Sequence, residues 1–152
     1  MSHVIRIHQI GGPEQMRWEE AAVGAPGPGE VRVRNTAVGL NYIDTYHRSG
    51  LYPMPLPLVL GSEGAGVVES VGPKVKDFQV GDRVAYAQPM GAYAEVLLRP
   101  AARLVKIPDG IEDEVAAAMM LKGMTAQYLL RRTYKVQSGT RCCCMRPRAG
   151  SG

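Results

Sequence analysis

Glycine and proline interrupt the first two thirds of this chain so often that only short secondary-structure elements fit between them. The chain contains 18 glycines and 11 prolines, which concentrate in linking segments such as "GAPGPGE", "YPMPLPLVLG" and "VGPKVKDFQVGD". Proline fixes φ and lacks a backbone N–H donor, so these segments suit neither a helix interior nor a central strand. We therefore expect short strands that are joined by turns.

Six runs between the linking segments have the alternation or the β-branched enrichment that is typical of strands. They are residues 3–9, 30–39, 63–72, 82–87, 93–100 and 103–108. Many short strands joined by glycine- and proline-rich turns favour a barrel or a sandwich. The sequence thus predicts a mainly β body with a few helices, which is an α+β fold.

Two segments are predicted to be helical. Residues 41–50 end in glycine, and Asn41 or Asp44 can accept backbone N–H groups at the start of that helix. After Pro108 an acidic turn, an Ala- and Met-rich stretch and a basic end suit the helix dipole, and Gly123 predicts a break between two helices. We interpret the methionines of this stretch as core residues: Met119, Met120 and Met124.

Charge and apolar content exclude two classes of partner. The formal net charge is +4, but three arginines near the end supply three of these charges and leave +1 for the rest of the chain. This body lacks the basic stripe with interleaved aromatic residues that binds single-stranded nucleic acid. No apolar run is long enough for a membrane span, and the first residues do not resemble a signal peptide. With its cysteines confined to the end, the protein is expected to be cytoplasmic.

Four stretches together resemble the zinc-free quinone oxidoreductases of the medium-chain dehydrogenase/reductase superfamily. They are "AVGLNYIDTYHRSGLYP", "LVLGSEGAGVVESVGPKVKDFQVGDRVAY", "GAYAEV" and "AAAMMLKGMTAQYLL". The resemblance covers residues 1–139 and implies a GroES-like, barrel-type catalytic domain in 1–108 and a helical connection in 109–135. In the family a Rossmann domain that holds NADPH follows, and it is missing here. The intact family enzymes are usually homodimers, and we expect the dimer surface to be lost.

The resemblance also implies a set of site residues. The nicotinamide end of NADPH is expected beside Asn41, Tyr42, Ile43, Asp44, Thr45, Tyr46, Lys122, Thr125 and Tyr128. The residues expected to face the substrate cleft, and so the catalytic candidates, are Tyr46, Arg48 and Tyr52.

Simpler interpretations of these residues stay open. Asn41 and Asp44 also suit helix caps, and the tyrosines also suit aromatic positions at the rim of a cleft or against the body. Arg48 and Lys122 also suit solvated charges. The histidines show no ligand spacing and are predicted to lie at the surface or at sheet edges: His3, His8 and His47.

The residue types argue against a zinc site. Where zinc-dependent relatives place a cysteine and a histidine, this sequence has Asn41 and Ser62. An amide and a hydroxyl are poor zinc ligands, and the lobe that holds a structural zinc through four cysteines is absent as well. A quinone accepts hydride without a Lewis acid, so positioning of donor and acceptor suffices. We therefore predict no metal and a metal-free hydride transfer.

The segment "GSEGAG" is not interpreted as a phosphate-binding loop. It runs into the strand-like "VVESVG" rather than into a helix. Its glycines are predicted to permit a tight turn and close packing of strands.

The last residues, "TRCCCMRPRAGSG", differ from the rest of the chain. A possible coding sequence for them, read one nucleotide out of frame, spells D-T-V-L-L-H-A-A-A-G-G-V. This resembles the family's NADPH pyrophosphate loop, in which glycines let the phosphates approach a helix. We interpret residues 136–152 as an aberrant, disordered tail that a frameshift produced. The alternative is a metal-binding or redox tail, although its adjacent cysteines are poorly placed to close a tetrahedral site: Cys142, Cys143 and Cys144.

The sequence thus predicts the truncated catalytic half of an NADPH-dependent oxidoreductase with a small-molecule quinone substrate and little activity alone. Two alternatives stay open, namely an enone or enoyl reductase of the same superfamily and a non-catalytic GroES-like module. The helices after Pro108 are expected to expose apolar surface that normally packs beside the missing domain.

Overall fold

Eight strands and two α-helices follow one another along residues 2–141, the part of the chain that this computed structural model describes. The strands are β1 (Ser2–Ile7), β2 (Arg17–Ala21), β3 (Glu30–Gly39), β4 (Leu58–Val59), β5 (Glu63–Val71), β6 (Arg83–Ala87), β7 (Val96–Pro100) and β8 (Leu104–Lys106). The helices are α1 (Tyr42–Ser49) and α2 (Asp113–Gln127), and a π-helical turn (Tyr128–Thr133) follows α2. The predicted mainly β, α+β fold is confirmed.

The strands form two antiparallel sheets that the segment around Tyr93 joins. One sheet has the order β2-β1-β4, and the other has the order β7-β3-β5-β6-β8. The Ile5 N–H donates to the Tyr93 carbonyl (2.8 Å), and the Glu95 N–H donates to the His3 carbonyl (2.9 Å). Register shifts between β3 and β5 bend the central pair, as β-bulges do. The sheets therefore wrap around one core in the manner of a barrel.

The sequence pattern predicts six of the eight observed strands. The strand predicted at 30–39 matches β3 at both ends, and the other predicted strands lie within three residues of the observed bounds. The strands β2 and β4 are not anticipated by the sequence pattern. β2 reads "RWEEA", is largely exposed and pairs only with β1, so it has no apolar alternation. An edge strand of this kind forms because its partner is present.

Two clusters of buried side chains fill the structure. The barrel interior holds Val31, Val33, Val68, Val84, Tyr86, Ala92, Leu97 and Leu104. The second cluster packs α2 against the sheet and holds Ala65, Ala85, Ile107, Ala116 and Ala117. Because alanine predominates in this second layer, the helix axis lies close to β5 and β6.

The helix α1 follows its predicted course. It begins after Asn41, and it ends at Gly50, which takes the left-handed conformation (φ 82°). Asn41 and Asp44 form a capping box at the start, in which Asp44 Oδ2 accepts the Asn41 N–H at 3.0 Å.

The predictions for α2 need two corrections. The helix continues through Gly123, where a break was predicted, because the helix formers on both sides outweigh the roughly 1 kcal/mol that a helical glycine costs. Of the three methionines assigned to the core, only Met120 packs against it, whereas Met119 and Met124 are 48% and 50% exposed. The small residues of α2 take the buried face, and these two methionines lie outside it.

The expected exposed apolar surface is present along α2 and the turn after it. Its members are Val115, Met119, Met124, Tyr128, Leu129 and Leu130. Within residues 2–141, no helix has both the length and the apolar character that a membrane crossing needs. A turn lies at residues 137–140, where the Thr140 N–H donates to the Gln137 carbonyl. The cysteine run belongs to residues 142–152, which lie outside the described residues.

An ion pair holds the start of α2 on the barrel. Asp113 Oδ1 accepts from Arg83 Nε (3.0 Å) and Nη2 (2.6 Å), and Asp113 Oδ2 accepts from the Thr36 hydroxyl (2.6 Å). Partial burial opposes ionisation of Asp113, but the hydrogen bonds from Thr36 and Arg83 outweigh it, and the pKa of Asp113 is lowered. The carboxylate is therefore stabilised in the folded chain.

We expect Asp113→Asn to lower the free energy of unfolding by about 1–2 kcal/mol at neutral pH, because its hydrogen bonds are charge-assisted. A lowered folded-state pKa means that this stability is present above the ordinary aspartate range and is lost as pH falls through the folded pKa. The difference between wild type and variant in urea unfolding should therefore shrink in acid. Asp109→Asn, in an exposed turn, is the control. Equal urea midpoints for the two variants would contradict this role.

Candidate active site

Two buried carboxylates lie where α1, β5 and α2 meet. Asp44 is 3% exposed and Glu63 is fully buried. Carboxylates are almost never buried to this extent unless they are paired or hydrogen bonded. Their partners therefore define the local structure.

Glu63 connects the start of α1 to the middle of α2. Its Oε1 accepts from Asn41 Nδ2 (2.8 Å), and its Oε2 accepts from the Leu121 backbone N–H (2.6 Å). Lys122 Nζ lies 3.8 Å from Oε1 and donates to the Leu40 carbonyl at 3.3 Å. One side chain of β5 thus binds groups from both helices.

Gly39 makes room for this arrangement. A Cβ at this position would collide with the Glu63 side chain and would lie 2.6 Å from the Ala117 carbonyl oxygen of α2. Only a residue without a side chain allows β3, Glu63 and α2 to approach this closely.

Asp44 binds neutral donors. Its Oδ2 accepts from the Asn41 N–H (3.0 Å) and from the Tyr93 hydroxyl (2.9 Å), and its Oδ1 accepts from the Ser62 hydroxyl (2.8 Å). Burial raises the pKa of Tyr93, and the hydrogen bond to Asp44 raises it further. Tyr93 therefore keeps its proton and acts as a donor. We call Asn41, Asp44, Ser62, Glu63 and Tyr93 the carboxylate network.

The donor chemistry of the carboxylate network does not suit zinc. Asn41 and Ser62, at the positions of the predicted missing ligands, use their polar hydrogens on Glu63 and Asp44. Both carboxylates use their oxygens as acceptors of these bonds. Across residues 2–141 no group of three His, Cys, Asp or Glu side chains is arranged to hold a metal ion.

Three of the predicted tyrosines form an aromatic chain on the outer side of α1. The ring centroids of Tyr42 and Tyr46 are 5.8 Å apart, and those of Tyr46 and Tyr52 are 5.3 Å apart, both edge to face. The Tyr52 N–H also donates to the Tyr46 carbonyl. The structure therefore brings the two tyrosines of the predicted catalytic set into contact.

Arg48, the third member of that set, contacts a different segment. Its Nε donates to the Gly11 carbonyl (3.3 Å), and its own carbonyl accepts the Gly11 N–H (3.0 Å). This geometry makes Arg48 a clamp on the loop after β1. Thr45 donates to the Tyr42 carbonyl within the helix, and Ile43 is half-buried.

The predicted cofactor residues Lys122 and Thr125 of α2 and Tyr128 of the following turn are exposed and lie three residues apart. Lys122 joins the carboxylate network, as described above, whereas Thr125 donates to the Leu121 carbonyl of its own helix (2.8 Å). Tyr128 is 57% exposed. In the described chain, no hydrogen bond or ring contact joins Tyr128 to α1.

The three histidines lie away from the carboxylate network. His3 stacks on Trp18 (5.0 Å) and contacts Glu95 (3.1 Å), and His8 contacts Glu19 (3.0 Å). His47 contacts the Tyr52 carbonyl at 3.2 Å.

An apolar cavity of about 480 Å³ lies beside the network rather than at the predicted catalytic residues. Met16, Trp18, Val38, Leu40 and Tyr93 contribute to its lining. Tyr93 belongs to both, since its hydroxyl binds Asp44. Neither Tyr46, Arg48 nor Tyr52 lines this cavity.

Sequence reasoning missed Glu63 and Tyr93 as site residues. One signal was present for Glu63, which is a charged residue in the small-residue run "GSEGAG" that forms a strand. A carboxylate in a strand that is otherwise buried needs partners. No comparable signal marks Tyr93, because its partner lies 49 positions away.

The glycines of "GSEGAG" act as predicted. Gly61 makes the turn before β5 with φ 95°, and a Cβ on Gly66 would collide with the Arg34 carbonyl of β3. They permit a tight turn and close strand packing.

Residues 27–109 match the alcohol dehydrogenase GroES-like domain family. The chain is similar to a quinone oxidoreductase of Pseudomonas aeruginosa, at 57% identity over 91% of this chain and 43% of the relative. It is also similar to a 2-haloacrylate reductase of a Burkholderia species, at 55% identity over 88% of this chain and 42% of the relative. The crystal structure of an Escherichia coli quinone oxidoreductase complexed with NADPH superposes with a TM-score of 0.86 at 47% identity, over 89% of this chain and 42% of that one. The chain thus spans less than half the length of these relatives.

We expect Glu63→Ala to cost about 3–5 kcal/mol of unfolding free energy, because it leaves a cavity and two buried donors without an acceptor. Glu63→Gln should cost less, about 1–2 kcal/mol, because its oxygen accepts from Leu121 while the Asn41 amide rotates to accept from its NH₂ group. Urea unfolding measures both.

Glu114→Ala, on the exposed side of α2, serves as the control and should change stability by less than about 0.5 kcal/mol. A Glu63→Ala variant as stable as this control would show that the network does not hold the helices.

Proposed function

This chain belongs to the alcohol dehydrogenase GroES-like domain family, and from that premise we propose that it is the catalytic half of an NADPH-dependent quinone oxidoreductase. The observation that supports this most is the carboxylate network, which holds the first turn of α1 against Lys122 of α2. Around this point lie the exposed residues that the family resemblance assigns to NADPH. The similarity to two quinone oxidoreductases, one of them complexed with NADPH, supports the same function.

The residues present fit the nicotinamide end of NADPH. Tyr42 is 80% exposed next to the network, and Lys122 exposes 62% of its side chain. Thr125 of α2 and Tyr128 of the turn after it continue this surface. Aromatic rings and hydrogen-bond donors suit the planar, uncharged dihydronicotinamide ring and its carboxamide group. We place the pyrophosphate site of the proposed enzyme outside residues 2–141.

NADPH, when bound, supplies the hydride. The chain's own residues orient the acceptor and exclude water. Tyr46 and Tyr52 contact each other edge to face beside α1, so one ring stacks on a planar quinone while the hydroxyl of the other donates a hydrogen bond to the oxygen that gains negative charge. Arg48 positions the loop at Gly11 and so closes one end of this surface.

The reaction that we propose needs no metal. The hydrogen bonds of the carboxylate network occupy Asn41 and Ser62, which are poor zinc ligands in any case. A quinone is a strong hydride acceptor, so alignment and hydrogen bonding suffice.

The remaining expectations belong to this proposal. Residues 1–108 form the catalytic domain, 109–135 form the connection, and 136–152 form a tail without a catalytic role. The enzyme acts in the cytoplasm on a small molecule, and the intact form is a homodimer. The exposed apolar face of α2 then packs against the domain that carries the pyrophosphate site.

A second candidate is a reductase of activated alkenes. The 55% identity with the 2-haloacrylate reductase favours it. Both reactions use hydride from the same cofactor, and they differ in whether the acceptor is a quinone or a carbon–carbon double bond next to a carbonyl.

The test compares the chain with a fusion in which residues 1–139 precede the remaining part of the Pseudomonas aeruginosa relative. NADPH oxidation is followed with 1,4-benzoquinone and, separately, with 2-chloroacrylate as the acceptor. Each assay is repeated after EDTA treatment of the protein. We expect no turnover by the 152-residue chain, benzoquinone reduction by the fusion, and no effect of EDTA. Tyr52→Phe in the fusion should lower kcat/KM about tenfold, the value of one hydrogen bond in the transition state.

Tyr134→Phe, an exposed tyrosine away from α1, is the matched control and should leave kcat/KM unchanged. Robust turnover by the 152-residue chain would contradict the assignment of half an enzyme. A fusion that reduces only 2-chloroacrylate would favour the second candidate, and inhibition by EDTA would contradict the metal-free reaction.

A further inference from the structure

Four exposed apolar side chains line the cavity of about 480 Å³ that lies between β1, β2, β3 and the segment 93–95. They are Met16, Trp18, Val38 and Leu40, and their exposed fractions range from 38% to 77%. Contact between water and apolar side chains is unfavourable, so a concentration of them at one concave surface is typical of a binding site. The volume of the cavity is that of a small-molecule site.

Glu95 is the one lining residue with a formal charge, and the protein already binds its carboxylate. Glu95 Oε2 accepts from the His3 backbone N–H (2.9 Å) and lies 3.1 Å from His3 Nδ1. The hydrogen bonds from the backbone and the ring of His3 lower the pKa of Glu95, so it stays ionised at neutral pH. An anionic ligand would meet this negative charge, and a cationic ligand would have to compete with His3 for it.

Three further polar side chains of the lining use their hydrogens within the protein. Asn35 Nδ2 donates to two backbone carbonyls, at 3.0 and 2.8 Å. The Thr36 hydroxyl donates to Asp113 (2.6 Å), and the Tyr93 hydroxyl donates to Asp44 (2.9 Å). A ligand with several polar groups would therefore lose hydrogen bonds to water that these side chains do not replace.

Trp18 gives the cavity an aromatic wall that is held in place. Its ring stacks on the ring of His3, with the centroids 5.0 Å apart and the planes 4° apart. The side chain nevertheless remains 60% exposed, so the stack fixes the ring and leaves apolar surface uncovered. Met16 lies in the same lining, and its thioether adapts its shape to an aromatic neighbour. An aromatic ring is thus the group that suits this wall.

We propose that this cavity is a binding site for an uncharged, largely apolar aromatic molecule, which packs against Trp18 and Met16. A ligand of one or two fused rings fits the volume and needs none of the hydrogen-bond donors that the protein has already used. The site is separate from the predicted catalytic residues and does not rest on the proposed function.

The experiment titrates the 152-residue chain with naphthalene, and with 2-naphthoate and 1-naphthylmethylammonium as charged counterparts. Trp18 is the single tryptophan of the chain, so its indole N–H signal in ¹H–¹⁵N NMR reports on the cavity, as does the Met16 methyl signal. We expect naphthalene to shift both signals saturably and both ions to bind roughly tenfold more weakly or worse, because their charge must leave water. The methyl signals of Val80, which is exposed but does not line the cavity, should not move.

Two variants and a control locate the binding. Trp18→Ala should weaken naphthalene binding roughly tenfold, as followed through the Met16 methyl signal, because the aromatic wall is lost. Val38→Glu should weaken it as well, because it adds a charge to the lining, whereas Val80→Glu should behave as wild type. If a variant fails to fold, the titration of wild type decides alone. No saturable shift in wild type, equal or tighter binding of either ion, or unchanged affinity in a folded Trp18→Ala or Val38→Glu would overturn the proposal.

The same signals distinguish two other occupants of the cavity. If a second copy of the chain filled it, the Trp18 and Met16 signals would depend on protein concentration without any naphthalene. If the remaining part of the enzyme covered it, the fusion described above would not bind naphthalene. We expect signals that do not depend on concentration and equal affinity in the chain and the fusion, and either of the other results would overturn the proposal.

Discussion

A carboxylate that is wholly removed from water must be surrounded by hydrogen-bond donors, and Glu63 meets this requirement with groups from distant parts of the chain. The Asn41 amide comes from the start of α1, and the Leu121 N–H comes from the middle of α2. Gly39 of β3 leaves the space for this contact. The relative positions of the two helices therefore depend on one side chain of β5, and the second buried carboxylate, Asp44, extends the constraint to Ser62 and Tyr93.

The same hydrogen bonds explain how this GroES-like domain keeps an ordered arrangement with a donor set that does not suit zinc. Asn41 donates to Glu63 and Ser62 donates to Asp44, so side-chain hydrogen bonds hold the region together. The inner residues are buried, whereas the tyrosines of α1 and the outward residues of α2 are exposed around them. Buried polar networks of this kind are rigid when every member has a partner. A preformed surface suits a reaction that depends on positioning.

An element was predictable from the sequence where the interactions that determine it are local along the chain. Most strands and α1 depend on local alternation, turn residues and a C-terminal glycine, and the sequence predicted them. β2 was not predicted because it forms only beside its partner strand. The continuity of α2 through Gly123 depends on the helix formers around it, and the exposure of Met119 depends on which face of α2 packs on the barrel. The resemblance to a family supplied Asn41 and Tyr46 as candidates. Glu63 carries one local signal, a charged residue in a buried strand, but its partners and those of Tyr93 emerge only from tertiary contacts.

Amide hydrogen exchange tests the central claim most directly, because the Asn41 and Leu121 N–H groups donate to the two buried carboxylates. The exchange rates of these two amides are measured by NMR with and without EDTA. The carboxylate network predicts protection comparable to that of the β5 amides, and EDTA should leave it unchanged. Exchange as fast as that of exposed loop amides, or protection that EDTA removes, would contradict a metal-free network as the basis of this site.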